Sequence, residues 1–113
     1  MKKYLFILSK GLFDSSDTGH SYELFNQLSQ LQNVENSVYL YFVQNAVLAL
    51  RQKVDFPFFE IMNKNTSLKV FADDLSLIQY GIHEKQCKKN ISVINMEQLL
   101  DFMMEDDRLI VWY

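Results

Sequence analysis

Cysteine is almost missing from this chain. Cys87 stands alone among 113 residues, which excludes an intrachain disulfide framework and a zinc site built from several thiolates. Proline occurs once and glycine three times, so few long loops are expected between elements. Long apolar runs are missing too. The longest, Val38–Val43 among them, reach about six residues, far short of a bilayer-crossing helix. The opening Met1-Lys2-Lys3 is basic, but the apolar stretch Tyr4–Leu8 is short and no small-residue cleavage site follows it. No targeting segment is therefore expected. A basic excess is also absent: 11 Lys and Arg face 14 Asp and Glu, for a formal net charge of −3, with both signs spread along the chain. A phosphate-tracking surface needs a basic excess or patch, so nucleic acid is not an expected partner. These absences leave a cytoplasmic protein with no membrane partner as the expectation.

What is present is apolar mass. Apolar residues make up 49% of the chain, enough for a globular core and too many for a disordered one. The length suits a single domain, 1–113. Five short blocks stand out: Tyr4–Leu8, Val38–Val43, Leu68–Ala72, Ile91–Ile94 and Leu109–Tyr113. They are rich in Val, Ile, Phe and Tyr and mostly continuous rather than alternating. Continuous short blocks suit strands buried on both faces, as in a parallel sheet.

The spacers carry helical periodicity. Tyr22, Phe25, Leu28 and Leu31 recur at three- and four-residue steps, with Ser16 or Asp17 as the cap. A short helix is expected over roughly 84–89 before the fourth block. After Ile94, Asn95-Met96-Glu97-Gln98 resembles a capping box, and Met96, Leu99, Leu100 and Met103 fall on one side of the helix it opens. Between Asn45 and Ser67, the residues Ala46, Val47, Ala49 and Leu50 read as helix. A Phe-rich connection through Pro57 and a polar turn over 63–67 follow. Strand and helix alternate throughout, which predicts right-handed parallel units in a three-layer α/β domain.

In such a sheet, ligands bind beyond the carboxyl ends of the strands. The residues at those ends are Ser9, Lys10, Asp14, Gln44, Asn45, Asp73 and Asp74, which are the expected pocket lining. Gly11, Gly19 and Gly81 form neither a dinucleotide fingerprint nor a P-loop, and no cofactor is expected. Ser15–Gly19 ahead of a helix could hold a small anion at its N-terminus, although a plain cap is the simpler reading. Asp14, Asp17, Asp73 and Asp74 could converge on a hard cation, but caps and turns explain them more simply. A phospho-acceptor site of the receiver type is excluded, because it wants an acidic pair after the first strand and a Lys after the fifth. Ser9-Lys10 and the chain end stand there instead.

His83 and Cys87 are four residues apart and would share a helical face. An imidazolium beside a thiol lowers its pKa, and Lys85, Lys88 and Lys89 add positive potential. This pair is the candidate for nucleophilic chemistry, against the simpler reading of a quiet cysteine. His20, in the first turn of the first helix, reads as a surface residue, and Glu105-Asp106-Asp107 as a solvated turn. Met96, Met103 and Met104 read as core packing.

The layout resembles the DsrE/DsrF-like family of small sulfur-relay proteins. The first strand with the loop 11–17, and Gln44-Asn45-Ala46-Val47 after the second strand, resemble the family's opening half. The most specific likeness lies in Phe71-Ala72-Asp73-Asp74-Leu75-Ser76-Leu77-Ile78-Gln79-Tyr80-Gly81-Ile82, which resembles the family's strand, helix and Arg-Gly-Ile-type turn. Ile91–Leu100 and Asp107–Trp112 resemble its closing segment. Relay members keep a cysteine eight residues before that glycine, and here the position is Asp73, while Tyr80 stands where Arg is frequent.

The resemblance implies a five-stranded, mainly parallel DsrEFH-like sheet in three α/β/α layers, and a tendency to form homo-oligomers or hetero-oligomers with DsrE-like subunits. It also implies a non-catalytic or ligand-binding subunit linked to sulfur trafficking, since a carboxylate cannot form a persulfide. The alternative is a sulfurtransferase or persulfide carrier through Cys87 with His83. Nine Phe, six Tyr and one Trp exceed what one thin core readily hides, and Phe56, Phe58 and Phe59 form a candidate interface patch.

Overall fold

A computed structural model describes residues 3–9, 30, 37–53, 68–105 and 108–112. Five strands form one sheet: β1 (Lys3–Leu8), β2 (Ser37–Phe42), β3 (Leu68–Asp73), β4 (Ile91–Ile94) and β5 (Leu109–Trp112). Their order is β4-β3-β2-β1-β5, and every neighbouring pair is parallel. The expected parallel α/β architecture is the observed one, with each strand within a residue of its apolar block. Among the described residues, no helix is long and apolar enough to cross a membrane.

Two α-helices lie wholly among the described residues, α1 (Asp74–Gln79) and α2 (Met96–Glu105). They lie on opposite faces, and the strand order explains why. The chain steps from β1 to β4 in one direction along the sheet, then returns past β1 to place β5. Right-handed crossovers made in opposite directions must pass over opposite faces.

On the α1 face, Phe6, Leu8, Leu40, Phe42 and Ala72 pack against Leu77 of α1 and the buried Ala46, Val47, Ala49 and Leu50. Those last four belong to a 3-10 helix, Gln44–Leu50. Their spacing suits it, since residues three apart eclipse at three residues per turn. On the α2 face, Leu5, Ile7, Tyr41, Phe71 and Ile94 pack with Leu99, and Phe102 and Met103 lean against them. The rings of Tyr39, Phe71 and Phe102 meet there at centroid distances of 5.1 to 5.3 Å. The Arg108 guanidinium lies 3.7 Å from the Tyr39 ring centroid, a cation–π contact.

Three expectations need correction. Continuous apolar sequence does not bury β5: Leu109, Ile110 and Trp112 are 59%, 42% and 65% exposed, because β5 is an edge strand with one neighbour. Met96 and Met104 are not core, at 51% and 84% exposed, and Leu100 is 48% exposed. A helix on one face of a sheet buries a single stripe, and here Leu99 takes it. The helix expected over 84–89 is only a 3-10 turn, Glu84–Gln86. It ends there because Cys87 pairs antiparallel with Arg51 in extended conformation. The helix over 22–31, its caps, His20 and the Phe56–Phe59 cluster lie outside the described residues, apart from Gln30, which is helical.

Candidate functional site

β3 and β4 are hydrogen-bonded neighbours whose following helices, α1 and α2, leave to opposite faces. That arrangement opens a crevice at the carboxyl ends of strands in α/β sheets. Asp73 stands at this point, in register with Ile94.

The Asp73 side chain is 5% exposed, and both carboxylate oxygens are engaged. The Tyr41 hydroxyl, from β2, donates to Oδ1. The Ser76 amide donates to Oδ2 at 3.0 Å and the Ser76 hydroxyl to the same oxygen at 2.6 Å. Asp73 is thus the N-cap of α1, whose first turn would otherwise leave amides without acceptors. Ser76 in turn accepts from the Gln44 amide at 2.8 Å. Gln44 has a φ of +56°, the left-handed region that non-glycine residues rarely adopt. The chain leaves β2 there in a strained turn directed at α1.

Burial, the Asp73 hydrogen bond and the negative charges of Asp73 and Asp74 push the Tyr41 hydroxyl well above the ordinary tyrosine range. Its proton therefore stays on the phenol, as donation to a carboxylate requires.

The other end of α1 explains the glycine of the Tyr80-Gly81-Ile82 turn. Gly81 has a φ of +68°. Its amide donates to the Ile78 carbonyl at 3.1 Å and that of Ile82 to Leu77 at 2.8 Å. This is a Schellman closure, with Leu77 and Ile82 both in the core. α1 is held at both ends, by a carboxylate and by a glycine.

The predicted pocket residues divide. Asp73 and Gln44 are brought together through Ser76. Ser9, half-buried, follows β1 at the next position along the same edge. Asn45 is exposed, and Asp74 accepts at 2.7 Å from the Leu75 amide, which makes it a local turn. Lys10 and Asp14 lie outside the described residues. Among the described residues, no three His, Cys, Asp or Glu side chains come together as a metal site would need. Tyr41 and Ser76 were not anticipated. Ser76 was findable, because Asp followed three residues later by Ser is a capping spacing, whereas Tyr41 was hidden inside an apolar strand.

His83 and Cys87 do not share a helical face. His83 caps the 3-10 turn, its Nδ1 accepting from the Lys85 amide at 3.1 Å, so that nitrogen serves the backbone rather than a thiol. The Cys87 side chain is 6% exposed, with Sγ 4.0 Å from the His83 carbonyl. Burial, and secondarily the charge of Glu84, raise the thiol pKa. That is the opposite direction from an activated thiolate.

No family model matches this sequence, and no curated protein matches it in sequence. Solved structures match over 100% of both chains. One is the ychN protein from E. coli, at TM-score 0.78 and 17% identity. Another is MTH1491 from Methanobacterium thermoautotrophicum, a protein of unknown function, at TM-score 0.75 and 11% identity. At such identities the likeness is one of fold, and it gives this chain a DsrE-like α/β fold.

Proposed function

We infer that this chain is a non-catalytic or ligand-binding subunit of a DsrE-like assembly linked to sulfur trafficking in the cytoplasm. The observation that carries this reading is the state of Asp73. It occupies the place that the family resemblance assigns to a sulfur-carrying cysteine, at the switch point of the sheet. Its two oxygens are consumed by three donors from Tyr41 and Ser76. A carboxylate forms no persulfide, and one so engaged serves architecture. Supporting the assembly are the exposed apolar side chains on three elements: Leu75 and Ile78 of α1, Leu100 and Met104 of α2, and Trp112 of β5. Isolated exposed apolar residues are ordinary, but stripes of them mark surfaces that meet other proteins. The expected partners are copies of the chain itself or cysteine-bearing relatives.

Two measurements test this reading. Incubation with polysulfide followed by intact-mass analysis should leave the wild type without a one-sulfur adduct. A stable adduct that disappears in Cys87→Ser would instead make Cys87 the carrier. Light scattering coupled to size exclusion should give a mass above that of one chain at micromolar concentration, and a strict monomer overturns the assembly.

A further inference from the structure

We propose that β5 docks against the β5 strand of a second copy of this chain, the two pairing antiparallel so that one sheet runs through both copies. This deepens the oligomeric reading above by naming the element that meets its copy, and it rests on that reading for the existence of an assembly.

β5 bonds to β1 on one side, and among the described residues no strand pairs with its other side. A bare edge offers its amides and carbonyls to a further strand. Charge or proline within an edge strand discourages such pairing, and Leu109-Ile110-Val111-Trp112 contains neither. The far edge of the sheet differs. On β4, Ile91 and Val93 are half-buried and Ile94 is buried, so the exposed side chain there is the polar Ser92.

The register shows where the cover over the sheet stops. Ile110 lies beside Leu5 and Trp112 beside Ile7, and Leu5 and Ile7 belong to the core under α2. Ile110 and Trp112 therefore face the α2 side, since neighbours in register share a face. That core draws on β1, β2, β3, β4 and α2 and on no residue of β5. One strand spacing separates Ile7, at 3% exposure, from Trp112 at 65%. A strand laid along β5 brings its own side chains beside this uncovered pair.

A second copy fits because the strand matches itself. Antiparallel pairing centred on Val111 sets Ile110 opposite the second copy's Trp112 and Trp112 opposite its Ile110, both pairs on the α2 side. Aromatic and β-branched side chains facing each other across strands stabilise a sheet, and here no like charges meet. The contact is isologous, so it closes at two copies and leaves both β4 edges outside. Pairing of β5 with β4 instead sets Ile110 and Trp112 beside Ser92, which shares their side of the sheet. That alternative sacrifices the apolar match and repeats head to tail.

Trp112 is the chain's one tryptophan, so its fluorescence reports on this edge. The wild type is diluted through the range where light scattering and sedimentation show its mass to fall. Over that range its emission should shift to the red and its quenching by acrylamide should rise. Two double variants test the register. Ile110→Lys with Trp112→Lys sets like charges opposite each other and should weaken association about tenfold or more. Ile110→Lys with Trp112→Glu sets opposite charges in both pairs and should associate about tenfold more tightly than the first. Both remove the same apolar side chains, and circular dichroism checks that each is folded. Should either fail to fold, the wild-type emission alone decides. A strict wild-type monomer overturns both this pairing and the oligomeric reading. A wild-type oligomer whose Trp112 emission is unmoved by dissociation overturns this pairing alone and leaves the edge to a strand of another protein. Equal association of the two folded variants also overturns this pairing alone.

Discussion

The Tyr41 hydroxyl at the end of β2 donates to the carboxylate of Asp73 at the end of β3, tying two adjacent strand ends at the mouth of the sheet. The tie is buried on both sides, at 1% exposure for Tyr41 and 5% for Asp73. Removing one partner therefore strands the other. Tyr41→Phe should lower the unfolding free energy by about 2 kcal/mol, the cost of a buried acceptor deprived of its donor. Urea unfolding followed by circular dichroism measures it, and a change within experimental error would show that the bond contributes nothing.

Shape and charge at Asp73 are separable. Asp73→Ala removes the acceptor of all three donors and should cost about 3 kcal/mol. Asp73→Asn keeps an oxygen for the Ser76 amide and hydroxyl, and its amide can donate to the Tyr41 oxygen, so about 1 kcal/mol is expected. Ser76→Ala falls between. Because Tyr41 and Ser76 share the carboxylate, their double variant should depart from additivity by about 0.5 kcal/mol or more in a double-mutant cycle.

Alkaline pH should weaken the fold through two groups. Tyr41 and Cys87 both hold their protons more tightly in the folded chain than at their ordinary values, chiefly because burial disfavours the charged form. In the unfolded chain each ionises in its ordinary range. Stability from these groups is complete below the ordinary thiol range and falls as pH rises through it, then falls again above the ordinary tyrosine value of 10.0. Tyr41→Phe should flatten the second fall, and Cys87→Ser the first. The same burial predicts that iodoacetamide alkylates native Cys87 far more slowly than the urea-unfolded thiol.

The two helices respond to their caps in different ways. Asn95 and Gln98 reciprocate, the Gln98 amide donating to Asn95 Oδ1 at 2.9 Å and the Asn95 amide to Gln98 Oε1 at 3.0 Å. Asn95→Ala should cost about 1 kcal/mol. At Gly81, an added Cβ meets nothing within 4 Å, so Gly81→Ala should cost only the left-handed backbone conformation, about 1 kcal/mol. A larger loss would reveal a contact at this turn.

The legible part of this protein was its sheet. Continuous apolar blocks reported all five strands and their parallel sense, because strands that need crossovers bury themselves on both faces. The same rule failed at β5, since pattern does not say which strand lies at an edge. Asn95-Met96-Glu97-Gln98 disclosed a cap through local chemistry, while Met96 and Met104 misled because a methionine on an amphipathic helix does not announce its face. At the site, position 73 was found as the residue that follows the third apolar block. Its partner Tyr41 was not, since only the parallel register of β2 and β3 brings residues 32 apart into contact. His83 and Cys87 looked like a helical pair because nothing local showed Arg51 arriving to hold Cys87 extended.

The three donors around Asp73 bear on any attempt to engineer a sulfur carrier here. A thiol at position 73 would accept poorly from the Tyr41 phenol and the Ser76 hydroxyl, leaving both facing a large, weakly polar sulfur. Exchange at that single position would loosen the start of α1 in the same stroke that installed the nucleophile. Converting this scaffold means rebuilding a trio of side chains at once.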